Sequence, residues 1–356
     1  MLSSIHYNGA KHESGYKKTM LTIVAAGSLL GCQAQLEPSY HADTSSHVSA
    51  AVYQVEFVSA TQFHQQARAL NQMMNQYCQT GQSSETLKLQ WQQTMQAWMA
   101  LQGQERGPQA ALAQSWNVQF WPDKKNTTGR KMGVLTQQDT SWSAADIARQ
   151  SVTVQGLGAI EWLLYDQGSD FANESSHCQV GVAISDNLAN NAEAILQAWQ
   201  LNPWLELDQQ AWNAEYIALL SNQLDYSMKK LSRPMAKVGQ PRAYFAESWR
   251  SQTSMVNLKH NVMALQALYL ANGDGLDHLL RQRGRSSLAD RIVHQFDMTL
   301  ETWPEEKSLF ELLQSKAGYQ LVTAQFNKLE HLNYLIHEEV AIELGIVIGF
   351  NATDGD

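Results

Sequence analysis

From Val52 onward the chain repeats its apolar side chains at three- and four-residue intervals, and the strict alternation of a half-buried strand is almost absent. Such a chain must fold as packed helices. The periodicity predicts helices over 52–78, 84–102, 108–120, 144–152, 157–166, 176–200, 208–231, 245–272, 288–303, 305–314 and 317–344. Helix breakers fall between them, at Gly81, Gly103, Gly107-Pro108, Pro122, Gly168, Pro203, Pro234, Gly239 to Pro241, Gly273 to Gly275 and Pro304. The fold class is therefore all-α. Helices this long with short connections pair as antiparallel bundles, because each apolar stripe needs a facing one. Asn202-Pro203 near the middle is the natural boundary, giving bundles over 51–203 and 204–356. No short repeat marks a solenoid.

The first residues follow a different rule. Lys11, Lys17 and Lys18 precede an apolar run from Met20 to Leu30, the charged start and short apolar core of a secretory signal. The run falls short of the about 20 residues a membrane-spanning helix needs. It ends in Leu29-Leu30-Gly31-Cys32, which resembles the lipobox of bacterial lipoproteins. Residues 1–31 are then a signal peptide, Cys32 the acylated anchor, and 32–50, with Pro38 among Ser, Thr and His, a tether. Gln33 in place of Asp after the cysteine favours the outer membrane of a Gram-negative cell, and the rest of the chain faces the periplasm. In that oxidising compartment the two remaining cysteines, Cys78 and Cys178, are expected to form a disulfide. The net charge of −9 becomes −11 once the signal, with three Lys and one Glu, is removed, which argues against a nucleic-acid partner.

Residues 156–164 read GLGAIEWLL, placing one carboxylate, Glu161, in an otherwise apolar helical segment. An unpaired ionised carboxylate there costs several kcal/mol, so a proton, a cationic side chain or a metal ion is implied. Gly158 shares a helix face with Glu161, and the two glycines Gly156 and Gly158 point to close backbone approach or to space beside the carboxylate. Packing against an arginine explains the same pattern. Asp123, in Trp121-Pro122-Asp123-Lys124-Lys125, is a helix cap, a metal ligand or a lysine partner, with capping favoured on the residue alone. Arg250, beside Trp249 and Ser251, suits a carboxylate or phosphate. The closing GFNATDGD, 349–356, is expected to dock on the protein.

No zinc framework, P-loop, dinucleotide or GxSxG motif is present. His337-Glu338 lacks the second histidine of HExxH, and the nearest approach to HxxE is His294 with Asp297.

Taken in order, Trp91 and Trp98, Gly107-Pro108, Phe120-Trp121-Pro122-Asp123, GLGAIEWLL, Glu247-Ser248-Trp249-Arg250-Ser251 and GFNATDGD resemble the imelysin family of often lipidated, periplasm-facing bacterial proteins. That family is also classed as M75 peptidase-like and linked to iron uptake. The resemblance implies two helical bundles related by duplication and a site in the cleft between them. The family's GxHxxE signature falls on Gly156, Gly158 and Glu161, with glycine where relatives place histidine. The implied site has Glu161 and Asp123 as metal contacts for a divalent ion or iron, and Gly156, Gly158, Trp121, Arg250 and Ser251 as ligand-binding residues. The implied function is a non-enzymatic binding component working with iron-uptake proteins. The alternatives are a metallopeptidase that recruits another ligand, or a scaffold in which Arg250 neutralises Glu161.

Overall fold

The computed structural model describes residues 46–81 and 83–346. The signal peptide, Cys32, most of the tether and the GFNATDGD tail lie outside the described residues. Among these residues the protein is helical throughout, without a strand beyond an isolated bridge between Lys237 and Gln240. None of the described helices is long and apolar enough to cross a membrane.

In chain order the helices are α1 (Ala50–Thr80), α2 (Ser84–Trp98), α3 (Gln109–Leu112), α4 (Ser115–Val118), α5 (Thr127–Leu135), α6 (Ala144–Ala148), α7 (Gly156–Tyr165) and α8 (Ser175–Ala198). They continue with α9 (Gln209–Met235), α10 (Ser254–Leu270), α11 (Leu276–Gln282), α12 (Ser286–Glu301), α13 (Leu309–Leu312), α14 (Lys316–Asn333) and α15 (Ala341–Leu344). Most long helices fall near where periodicity predicts them, but α10, expected from residue 245, begins at Ser254, and α11 lies where no helix is expected. Other stretches differ too. The single helix expected over 108–120 is two short ones, α3 and α4, because the intervening Ala113 and Gln114 turn the chain. The polar run after Pro122, expected as loop, forms α5, started by side-chain caps that periodicity does not register. The helix expected over 317–344 changes to π geometry across Tyr334–Val340 before α15.

α1 shows why the pattern works. Its buried positions Val52, Tyr53, Phe57, Ala60, Phe63, Ala67, Leu70 and Met74 recur at helical spacing, and Gly81 closes it in the left-handed conformation at φ 66°. That stripe packs on α8 and α2, and α7 fills the remaining side against α8 and α2. In the later half α9, α10, α12 and α14 pack on one another, and α10 also touches α1 and α2. At the Asn202-Pro203 junction the buried rings of Trp199, Trp204, Trp212 and Tyr216 follow one another at 5.5, 5.1 and 5.2 Å. The expected disulfide is present: Cys78 at the end of α1 bonds Cys178 at the start of α8, S–S 1.95 Å.

Candidate functional site

α7 is apolar nearly all round and accordingly buried. Its two glycines do different things. Gly156 has φ +62°, and a Cβ there would lie 2.1 Å from the Val118 carbonyl oxygen, so only glycine lets the start of α7 meet the end of α4. Gly158 is the opposite case, since a Cβ there would meet nothing within 4 Å. Close approach and open space, the two readings of the pair, are each realised once.

Glu161 lies one turn beyond Gly158 and is 5% exposed. Its Oε1 accepts from the Ser251 amide at 2.9 Å and from the Ser251 hydroxyl at 2.8 Å. Ser251 is presented by a tight turn before α10 in which Ser248 and Gln252 take φ of 51° and 58°, a conformation costly for residues other than glycine. Burial pushes the Glu161 carboxyl above its ordinary value, partly offset by the nearby Arg250 charge and the Ser251 donors.

Arg250 is not the direct partner of Glu161. Its Nε donates to Asp166 Oδ2 at 2.6 Å, its Nη2 to Asn126 Oδ1 at 2.5 Å, and its guanidinium lies 4.5 Å from the centre of the Trp249 ring. Asp166, just past α7 and more exposed than Glu161, takes the ion pair with the buried Arg250. No cationic side chain lies within ion-pair distance of Glu161 among the described residues.

Asp123 caps α5. Its two oxygens accept from the amides of Thr127 at 2.7 Å and Thr128 at 2.8 Å, and Asn126 adds a second cap to Gly129. Trp121, 6% exposed, donates its indole N–H to the Phe245 carbonyl at 3.1 Å. Gly158, Glu161, Asp123, Trp121, Glu247 and Arg250 border one cavity of about 40 Å³. That is room for a few waters or one ion, not for a peptide. Ser251 reaches the site through Glu161, and Gly156 supports it from behind.

Glu247 is the residue that sequence reasoning passed over. It is 1% exposed at its side chain, as Lys230 is at 2%, and the two form an ion pair at 2.5 Å. Gln102 and Gln119 donate to its other oxygen at 2.6 and 2.9 Å, and Lys230 also donates to Gln102 at 2.9 Å and Asn261 at 2.7 Å. The pair joins α9 to the floor of the cavity. A lysine on a long helix carries no signal that it is buried, although Glu247 lies in the quoted Glu-Ser-Trp-Arg-Ser run.

Among the described residues no three His, Cys, Asp or Glu side chains gather to hold a metal. None of the described histidines borders the cavity.

A family model described as Imelysin, of the peptidase M75 class, matches residues 57–336. The chain belongs to the imelysin family. Two solved structures share its fold. An imelysin-like protein from Psychrobacter arcticum 273-4 matches with a TM-score of 0.72 at 18% identity, covering 85% of this chain and 96% of its own. A protein from Parabacteroides distasonis ATCC 8503, designated an iron-regulated protein A precursor, matches at 0.55 and 13%, covering 85% and 97%. At these identities the likeness concerns the fold. No curated protein sequence matches the chain.

Proposed function

We propose that this imelysin-family protein is a lipid-anchored, periplasm-facing binding protein of iron acquisition, whose ligand is a hard cation, iron first among them, held at Glu161. One observation carries the reading. Glu161 is a buried carboxylate bordering a small cavity, with no cationic side chain within ion-pair distance among the described residues and with empty space at Gly158. Of the three partners such a carboxylate can have, a proton and a metal ion remain. Burial raises the Glu161 carboxyl, so a cation bound there competes with a proton. Glu161, with Asp123 at the cavity edge and water filling the rest, suits a weakly held oxygen-preferring ion rather than a closed zinc site.

The fold relative designated an iron-regulated protein precursor supports the choice of iron. Acylation of Cys32 would tether the site to the outer membrane, beside the iron-uptake proteins it would serve. The helices on either side of Asn202 would form the two halves of a cleft, since Glu161 and Asp123 come from the first and Glu247, Arg250 and Ser251 from the second. Peptidase chemistry would need an imidazole from outside the cavity lining.

The test is thermal unfolding of metal-stripped protein with ferrous iron, manganese, magnesium and calcium. A rise in Tm with at least one ion, lost in Glu161→Gln, is expected. Wild type that no cation stabilises overturns the reading.

A further inference from the structure

A second and much larger pocket lies on the far side of Trp121 and Gln119, which border both it and the acidic cavity. Its volume is about 410 Å³, within the range of about 300–1,000 Å³ that small organic ligands occupy. Four aromatic rings line it, Trp98, Trp116, Trp121 and Tyr226, beside the amides of Gln102, Gln104 and Gln119. Trp116 is 53% exposed, an unusual placement for so large an apolar ring, and tilts against Phe120 at 5.8 Å. Trp121 meets Tyr226 edge to face at 5.6 Å. The wall is built into the backbone, because Gly103 at φ +79° lets Tyr226 approach where a Cβ would lie 2.5 Å from the tyrosine Cβ.

The charges around this pocket are cationic. Lys229 and Arg233 stand one turn apart on α9, both half-buried. Neither has a carboxylate within ion-pair distance among the described residues, whereas Arg106 nearby pairs with Glu215 at 3.4 Å. Arg233 instead lies over the Trp121 ring at 5.4 Å. Glu105 on the lining is exposed and leaves the pair in excess by one charge. In a protein of net charge −9, two half-buried cations without a carboxylate partner, one of them over the Trp121 ring, are a local inversion of sign.

We infer that this pocket binds a flat aromatic carboxylate, its ring stacked among Trp116, Trp121 and Tyr226 and its carboxylate held by Arg233 and Lys229. The guanidinium over Trp121 is placed to receive a planar anion two oxygens at a time. The site is separate from Glu161 and does not depend on the cation reading.

Isothermal titration of the full chain with 1-naphthoate, and with uncharged 1-naphthylmethanol as control, tests it. The expected result is saturable naphthoate binding, at least about tenfold weaker for the alcohol and at least about tenfold weaker in Arg233→Gln and in Trp116→Ala, with Glu161→Gln unchanged. Absent binding at millimolar naphthoate, equal binding of the alcohol, or affinity indifferent to both substitutions overturns it. Circular dichroism checks that each variant folds, and if Arg233→Gln does not, Lys229→Gln takes its place with the same expected loss and the same contrary result.

Discussion

Ser251 donates both its backbone amide, at 2.9 Å, and its hydroxyl, at 2.8 Å, to the same oxygen of Glu161, from the opposite half of the chain. The buried acid is thus held by hydrogen bonds rather than by a charge. Ser251→Ala removes one donor and keeps the other, and is expected to cost about 1–2 kcal/mol of stability. Most of that cost should vanish when it is measured in a Glu161→Leu background, where no carboxyl remains to be served. Equal costs in the two backgrounds, read from urea unfolding, would show that Ser251 acts elsewhere.

The two glycines of α7 give a paired contrast. Gly156→Ala puts a methyl 2.1 Å from the Val118 carbonyl oxygen at a left-handed φ, so it should destabilise by at least about 2 kcal/mol. Gly158→Ala enters open space on a helix and should change stability by no more than about 1 kcal/mol, in the stabilising direction. Chemical denaturation of both variants checks this, and a reversed order contradicts the packing described.

Arg250 belongs with Asp166. A double-mutant cycle of Arg250→Ala and Asp166→Ala should return a coupling of about 1–2 kcal/mol, since the arginine is 5% and the aspartate 20% exposed. The cycle of Arg250→Ala with Glu161→Gln should return less, because the guanidinium hydrogen-bonds Asp166 and Asn126 and makes no ion pair with Glu161. A larger coupling to Glu161 would restore it as the arginine's partner.

Glu56, buried on α1, gives the protein a pH dependence. It accepts from Gln104 at 2.5 Å, and burial pushes its carboxyl up from 4.5 to about 8. Between those values the folded protein holds a proton that the unfolded chain has released. Stability from this group is therefore full below about 4.5 and is lost as pH rises toward about 8, at most about 1.4 kcal/mol per unit. Glu161, also raised, acts in the same direction. Urea unfolding at pH 5, 6, 7 and 8 should show a shallower decline in Glu56→Gln than in wild type. Parallel declines would mean that Glu56 titrates normally.

Much of the fold was legible because long amphipathic helices write their burial into spacing: α1, α8, α9 and α14 begin within two residues of where periodicity puts them, whereas α10 starts only at Ser254, after the turn that presents Ser251. α5 was hidden because caps by Asp123 and Asn126, not an apolar stripe, begin it. Glu161 was legible as a charge among apolar neighbours. Its partner was not, because a backbone amide and a serine leave no charge pattern in the sequence, and a nearby arginine is the more visible candidate. Lys230 and Glu247 were invisible for a related reason: each looks like a surface residue until the other is placed beside it.

A cation site at Glu161, with room for an imidazole at Gly158, would bind iron according to what stands at those two positions. Affinity for ferrous iron, measured anaerobically by equilibrium dialysis on wild type, Glu161→Gln and Gly158→His, tests it most directly. The predicted order is Gly158→His tightest, by about tenfold or more over wild type, then wild type, then Glu161→Gln with binding lost. Wild-type affinity should also rise with pH as the proton leaves Glu161. Equal affinities in all three proteins, or binding that survives in Glu161→Gln, would contradict the account.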